Sequence, residues 1–240
     1  MRIFQKGFNF SQDGPGNRLV YHLQGCNLRC PWCSNPEGLS LSGGEDVTLD
    51  ALADEVERSR LMFFDGGGVT LTGGEATIQF DEVRSFLELL HRKGINTCIE
   101  TNGISKRLPE LFPFLDLLIM DIKHYDGRIH RKVTGASNRN AIRNVTEARA
   151  AGQKTALRIP LIGGFNASPE DAEAFRDLFI SLDVPSFATV ELLAYHEFDR
   201  SKYDALGIDY TMTGEARVSA DKIRLFQQTF EAAGITVIHT

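Results

Sequence analysis

Three of the four cysteines lie within eight residues, at Cys26, Cys30 and Cys33. Closely spaced thiols in a reducing compartment are more often metal ligands than disulfides. A closed zinc site or a fully protein-bound iron–sulfur cluster takes four protein ligands. The C-x3-C-x2-C spacing therefore indicates a metal centre with one open position. A structural zinc site with His22 as the fourth ligand is the alternative, although a strand position points His22 away from the loop.

The composition is that of an ordinary globular protein. The 240 residues are 42% apolar and 24% charged, with a net charge of −6. Lysine and arginine are spread along the chain, so we expect no nucleic-acid partner. No run approaches the ~18 apolar residues of a membrane span, so we expect no membrane partner and a cytoplasmic location.

Strand–helix units position the cysteines. Apolar runs predict strands over residues 19–23, 69–72, 95–99, 115–122, 155–159, 187–193 and 236–238. Helical periodicity lies between these runs, and Gly94, Gly152 and Gly234 each end a helix before a strand. A closed eight-fold barrel typically needs ~250 residues. About six units therefore predict an α/β fold, a partial (β/α)6 barrel forming one core domain over residues 1–240, with an N-terminal extension (1–17) and a C-terminal tail (194–240).

Chemically capable side chains follow the strand ends, where parallel α/β folds collect their chemistry. We expect one mouth to gather the cysteines with Gly73, Gly74, Glu75, Glu100, Thr101, Asn102, Asp121, Lys123, Arg158 and His196. This set combines metal ligands, exposed backbone, carboxylates and cations.

At this point the sequence resembles a known family. The triad, with Trp32 before its last cysteine, and the Gly-Gly-Glu run resemble the radical S-adenosylmethionine (SAM) superfamily. The segments that resemble the glycyl-radical enzyme activating enzymes within it are 13–16 (DGPG), 33–37 (CSNPE), 72–76 (TGGEA), 100–103 (ETNG), 121–123 (DIK) and 195–197 (YHE). The resemblance runs from about Phe8 to the C-terminus. Residues 38–50 lack the cysteine-rich insertion of many members, so this is a short form with a single cluster.

The resemblance implies a radical enzyme acting on a protein. Cys26, Cys30 and Cys33 would hold three irons of a [4Fe-4S] cluster, and SAM would chelate the fourth. Reductive cleavage would yield a 5′-deoxyadenosyl radical that takes a hydrogen from a glycine Cα of a partner glycyl-radical enzyme. A flavodoxin or ferredoxin-type protein would donate the electron. The cofactor supplies the difficult chemistry, and the protein supplies orientation.

The resemblance also implies roles for individual residues. Gly73 and Gly74 would let the backbone approach the methionyl end of SAM, and Glu75 would meet its amino group. Arg158 could pair with the SAM carboxylate, and Asp13 would border the entry of the partner's glycine loop. The remaining cofactor contacts would come from Trp32, Ser34, Thr101, Asp121, Ile122, Lys123 and His196. A monovalent cation would lie at Glu100, Thr101 and Asp121, although Glu100 replaces the usual Asp.

Structural explanations compete with several of these roles. Glu75 could be a helix N-terminal acid, Asp121 and Lys123 an ion pair, and Arg158 a salt-bridge partner. His196 could be a solvated loop residue, and Cys98 is expected to be a small buried apolar residue. The histidines expected on the surface are His91, His124, His130 and His239. The phenylalanines expected to pack the barrel are Phe63, Phe64, Phe112 and Phe114.

Two other functions remain open from the sequence. One is a radical SAM enzyme acting on a small molecule, resembling 7-carboxy-7-deazaguanine synthase, which would not need the 13–16 or 195–197 segments. The other is a non-catalytic zinc or electron-transfer module. Which glycyl-radical enzyme an activase of this sequence would serve is also open.

Overall fold

A computed structural model describes residues 1–239, in which strands and helices alternate along most of the chain. The strands are β1 (Arg2–Phe10), β2 (Asn17–Leu23), β3 (Glu45–Asp46), β4 (Gly68–Gly73), β5 (Thr97–Thr101), β6 (Leu117–Asp121), β7 (Thr155–Leu161), β8 (Ala188–Ala194) and β9 (Val237–Ile238). The helices are α1 (Leu49–Ser59), α2 (Phe80–Arg92), α3 (Gly127–Thr134), α4 (Arg139–Ala150), α5 (Pro169–Ser181), α6 (Arg200–Leu206) and α7 (Ala220–Glu231). Short 3-10 turns connect several of them.

The described residues group into two compact units. The first comprises Met1–Asn27, Asn35–Thr101 and Ser105–Ile119, and the second comprises Leu28–Ser34, Asn102–Ile104 and the chain from Met120 onwards. Strand β6 contributes residues to both. That residues 1–240 form one core domain, with the extension 1–17 and the tail 194–240, stays a prediction.

In the first unit, the sheet combines antiparallel and parallel pairing. β1 pairs antiparallel with β2 and β3, whereas β2 pairs parallel with β4, and β4 with β5. Helices α1 and α2 supply the crossovers before β4 and β5, and each buries an apolar stripe. The crossovers carry β2, β4 and β5 in one direction, so their carboxyl ends face the same way.

The strand pairs β7–β8 and β8–β9 of the second unit are parallel, and β7 pairs with β8 over seven residues. Phe175 and Phe179 of α5 lie against Phe226 and Phe230 of α7, with ring centroids 5.7–6.5 Å apart, and all four side chains are fully buried. Aromatic burial of this size fixes both helices against each other.

The predicted α/β fold is confirmed, and six of the strands, β2 and β4–β8, correspond to the predicted strand–helix repeats. Gly94, Gly152 and Gly234 follow helices with φ between +64° and +76°, as helix-ending glycines do. Strand β1 was not predicted because Gln5, Lys6 and Gly7 interrupt its apolar residues. Helices α3 and α6 were not predicted because both are short and mostly polar.

Two predictions about the surface are wrong. His124 and His130 are buried, because aromatic rings pack on His124 and the Nδ1–H of His130 donates to the Ala136 carbonyl at 2.5 Å. Phe64 is 49% exposed and does not pack a barrel, although Phe112 is buried as expected. His91 and His239 are exposed as expected, whereas Phe63 and Phe114 are half-buried. Among the described residues, no helix is long and apolar enough to cross a membrane.

Candidate active site

The three clustered cysteines lie directly after β2. Cys26 is buried in the first unit, and Cys30 and Cys33 are half-buried in the Leu28–Ser34 loop of the second. Cys33 N donates to Cys30 O at 3.2 Å, so these two cysteines share one tight turn. All four cysteines are thiols rather than disulfides. Among residues 1–239, no three His, Cys, Asp or Glu side chains converge in the geometry of a single metal ion.

Helix α6 holds the cysteine loop by its backbone. The Tyr203 hydroxyl donates to Cys33 O and Lys202 Nζ donates to Ser34 O, both at 2.8 Å. Tyr203 is 5% exposed, and its burial raises the pKa of its phenol well above the ordinary value. Sequence reasoning missed both contacts, because nothing in the local pattern links residues 202–203 to the cysteines.

Trp32 and Ser34 have different surroundings in this loop. The Trp32 ring lies 4.8 Å from the Phe165 ring, centroid to centroid, and is half-buried. Ser34 is exposed and presents its carbonyl to Lys202. The half-buried indole leaves an aromatic face beside the cysteine turn.

The Gly73-Gly74 pair allows a close approach of two backbones in the first unit. Gly73 has φ +116°, and a Cβ there would overlap the backbone of Leu23. A Cβ at Gly74 would overlap the carbonyl oxygens of Gly25 and Gly38. The chain after β4 therefore packs directly on the backbone just before Cys26, with Glu75 N donating to Gly25 O at 2.8 Å.

Glu75 is 2% exposed and caps the 3-10 turn Ala76–Gln79. Its Oε1 accepts from Thr77 N at 3.0 Å, from the Thr77 hydroxyl at 2.5 Å and from the Thr101 hydroxyl at 2.7 Å. Glu75 therefore does cap a helical turn, as the structural explanation expected, and its role toward SAM stays a prediction. Because three donors fix one oxygen, the carboxylate is held in one orientation.

Other polar groups lie at the carboxyl ends of neighbouring strands. Glu100 Oε2 accepts from the Thr72 hydroxyl at 2.9 Å, both within the first unit.

At the turn before β2, the Asp13 side chain accepts from the Asn9 amide, and its carbonyl accepts from Thr70 at 2.7 Å. Asp13 is thus held at the turn joining β1 to β2.

Asp121 and Lys123 form the ion pair that their spacing predicted as the structural alternative. Lys123 Nζ lies 2.5 Å from Asp121 Oδ2. Burial alone would lower the Lys123 pKa, but Asp121, Cys30 and Cys33 oppose this effect, and the net result is a raised pKa. The charge of the Lys123 ammonium therefore interacts with both Cys30 and Cys33. A nearby cation in general favours the thiolate form of cysteine, which is the form that binds metal. Between the pair, Ile122 is buried, and its N–H donates to Arg158 O at 2.8 Å.

Arg158 pairs with a carboxylate that sequence reasoning missed. Its Nε lies 2.6 Å from Glu191 Oε2, and both side chains are less than 10% exposed. β7 and β8 bring them together, because Arg158 and Glu191 are register partners in the parallel ladder. The salt bridge expected for Arg158 as the structural alternative is therefore present, and its role toward SAM stays a prediction.

His196 lies on the surface after β8. Its side chain is 43% exposed, its ring stacks on Phe198, and its Nδ1 is 3.9 Å from Asp199. The exposure matches the expectation of a solvated loop histidine. In the second unit, the charge of Lys123 interacts with Cys30 and Cys33, whereas His196 contacts Phe198 and Asp199 of its own loop.

Comparison with known proteins identifies the class. The model of the radical SAM superfamily matches residues 20–178. A solved radical SAM methyltransferase from Sphaerobacter thermophilus has the same fold, with a TM-score of 0.68 at 18% identity over 96% of this chain and 67% of that one. The chain therefore belongs to the radical SAM superfamily and has its open, mostly parallel α/β fold.

Closer relatives narrow the family. The chain is 34% identical over 207 residues to the pyruvate formate-lyase 1-activating enzyme of Escherichia coli K12, covering 84% of this chain and 83% of the relative. It is 28% identical over 270 residues to the choline trimethylamine-lyase activating enzyme of Oleidesulfovibrio alaskensis, covering 86% and 87%. Within the superfamily, the chain belongs to the glycyl-radical enzyme activating enzymes, as predicted. Membership supports this function over the small-molecule enzyme and the non-catalytic module, and it implies a [4Fe-4S] cluster and SAM.

Proposed function

We propose that this chain activates a glycyl-radical enzyme by removing a hydrogen from one glycine Cα of that partner. When bound, the reduced [4Fe-4S] cluster and SAM supply the 5′-deoxyadenosyl radical that performs the abstraction. The chain supplies ligands, orientation and shelter. The observation that carries the proposal is the 34% identity to a pyruvate formate-lyase activating enzyme over 84% of this chain, and the Lys123 ammonium, whose charge interacts with Cys30 and Cys33, supports it.

Cys26, Cys30 and Cys33 would hold three irons of the cluster. The donor chemistry fits, because all three are thiols and Lys123 favours two of them as thiolates. Tyr203 and Lys202 hold the loop backbone, which limits the positions that Cys33 can adopt. Trp32, Ser34, Ile122 and His196 would contact SAM around this loop.

Glu75 would bind the amino group of SAM, with Gly73 and Gly74 leaving room for the methionyl end. Thr77 and Thr101 orient one oxygen of Glu75, which supports a preorganised carboxylate. Arg158 would meet the carboxylate of SAM only by sharing the charge that it now directs to Glu191.

We extend the proposal to three finer points. A monovalent cation would lie at Glu100, Thr101 and Asp121. It would share carboxylate oxygens that now accept from Thr72 and Lys123. Measuring the glycyl-radical yield with and without K⁺ at constant ionic strength tests this cation site. Asp13 would border the entry of the glycine loop. A flavodoxin or ferredoxin would reduce the cluster in the cytoplasm, where thiols stay available as ligands.

Anaerobic reconstitution tests the function directly. The loaded protein, with SAM and dithionite, is expected to release 5′-deoxyadenosine and to produce a glycyl-radical electron paramagnetic resonance (EPR) signal in its partner. The partner to use is the glycyl-radical enzyme encoded beside the gene. A preparation that releases 5′-deoxyadenosine but leaves this partner without a glycyl radical would argue against the proposal.

A further inference from the structure

A basic segment stands out against the acidic chain. The twenty residues from Gly127 to Thr146 contain no Asp or Glu, although the whole chain carries a net charge of −6. The segment holds five cations, which are Arg128, Arg131, Lys132, Arg139 and Arg143. All five are exposed, so this part of the second unit presents concentrated positive charge to solvent.

Four of these cations, Arg128, Arg131 and Lys132 of α3 and Arg139 of α4, line an open groove of about 820 Å³. At its edge, Arg128 lies 3.5 Å from Asp126. Within residues 1–239, Arg131, Lys132 and Arg139 have no ion-pair partner. Clustered cations without internal partners are a complementary surface for an acidic macromolecule.

The groove is built on fixed backbone. Asp126 caps α3 by accepting from Arg128 N at 2.7 Å and Ile129 N at 3.2 Å. The Asn138 amide donates to the carbonyls of His124 and Tyr125 at 2.7 Å and 3.0 Å. A docking partner would therefore meet a surface that needs little ordering on binding.

The basic helix adjoins the cysteine loop. Arg29 N, one residue before Cys30, donates to the carbonyl of Thr134, the last residue of α3, at 2.8 Å. Arg131 and Lys132 lie in that same last turn. A partner protein that binds to the end of α3 would therefore lie next to the loop that carries Cys30 and Cys33.

We propose that the α3–α4 groove is the docking surface for an acidic one-electron carrier protein that reduces the cluster. This proposal rests on the proposed function, because only a redox-active cluster needs such a donor. In this step the reduced carrier gives up one electron and is oxidised, and the cluster accepts that electron and is reduced. The position beside the cysteine loop favours an electron carrier over other acidic partners.

The acidic remainder of the chain gives the groove its selectivity. An acidic carrier is repelled by a protein of net charge −6 except where positive charge is concentrated. The groove should therefore set both the orientation of docking and a strong dependence on ionic strength.

The test compares charge reversals with a flavodoxin as the probe. Arg131→Glu/Lys132→Glu removes the groove charge, and Arg84→Glu/Lys154→Glu makes the same change in net charge at exposed positions elsewhere. We measure the Kd of oxidised flavodoxin by calorimetry at low and high salt, and the rate of cluster reduction by reduced flavodoxin by stopped flow. We expect the groove variant to raise Kd and slow reduction at least tenfold at low salt, and the control to stay within twofold.

Chemical reduction separates this proposal from the proposed function. Dithionite-driven release of 5′-deoxyadenosine should be equal in the wild type and both variants. If the wild type released no 5′-deoxyadenosine, the proposed function would be refuted. If the groove variant and the control variant bound flavodoxin with equal affinity, the proposal that the groove is the docking surface would be refuted. Arg131→Gln/Lys132→Gln should lose less flavodoxin affinity and less of the reduction rate than the charge reversal does. This neutral variant controls for destabilisation of α3 by acidic residues near its C-terminus. A groove variant that binds flavodoxin normally but lowers glycyl-radical yield would assign the groove to the protein substrate instead.

Discussion

Lys123 shows how single side chains determine the chemistry of the candidate site. It pairs with Asp121 and lies close enough to Cys30 and Cys33 for its charge to interact with both. A lysine with a raised pKa stays protonated at neutral pH and stabilises negative charge on nearby sulfur. The sequence placed Lys123 at a strand end, but its relation to two cysteines is a tertiary contact.

Replacing Cys30 with alanine should remove the cluster. The variant loses one of three proposed iron ligands, so we expect iron content near zero after anaerobic reconstitution and no release of 5′-deoxyadenosine. Cys98→Ala is the matched control, because Cys98 is fully buried on β5 and has no proposed ligand role. It should keep full iron content, and its stability should fall by only about 1 kcal/mol. Normal iron in Cys30→Ala would contradict the ligand assignment.

Replacing Glu191 with alanine should strongly destabilise the second unit. Arg158 would lose its buried counter-charge, and breaking such a pair costs about 3–5 kcal/mol. Urea unfolding of the apoprotein measures the loss. The double variant Arg158→Met/Glu191→Leu removes both charges and should recover most of the stability. A cost below about 1 kcal/mol for Glu191→Ala would show that the pair is not needed.

At the scale of elements, glycines fix how the turn after β4 meets the end of β2. Gly74→Ala would push a Cβ into the carbonyl oxygens of Gly25 and Gly38, which are backbone atoms and cannot move aside cheaply. We expect a loss of several kcal/mol or failure to fold, read from the yield of folded protein and its urea midpoint. Gly7→Ala, on β1 with nothing near its Cβ, is the control and should change stability by less than about 0.5 kcal/mol. A folded Gly74→Ala protein of normal stability would refute the close approach.

At the scale of the whole molecule, two buried histidines should make stability depend on pH. Burial is the main cause that lowers the pKa of His124 and His130 below the ordinary 6.5. The unfolded chain therefore binds protons more readily below about pH 6.5, and the free energy of unfolding should fall as the pH drops. The slope is at most about 1.4 kcal/mol per histidine per pH unit.

Urea unfolding of the apoprotein between pH 7 and pH 5 measures this effect. The exposed carboxylates with lowered pKa values change the free energy of unfolding mainly below about pH 4.5. The change in this free energy between pH 7 and pH 5 is therefore due mainly to the histidines. His130→Gln should flatten the profile, whereas the exposed His91→Gln should not. A flat profile in the wild type would contradict the lowered pKa values.

The sequence by itself determined the elements whose signals are local. The cysteine spacing, the helix-ending glycines and the strand–helix repeats each depend on a few neighbouring residues. The family, the α/β fold and the six repeated strands could therefore be predicted, although their ends differ by one or two residues. The resemblance of six short segments supplied the candidate residues, because a motif preserves residue types in order.

Only the tertiary structure decided which side chains meet. Glu191 pairs with Arg158 from 33 residues away, and Tyr203 reaches Cys33 across 170 residues. The burial of His124 and His130 likewise comes from rings and carbonyls of other segments. Such contacts depend on the strand register and helix packing that join distant segments, and no local pattern encodes a partner so far along the chain.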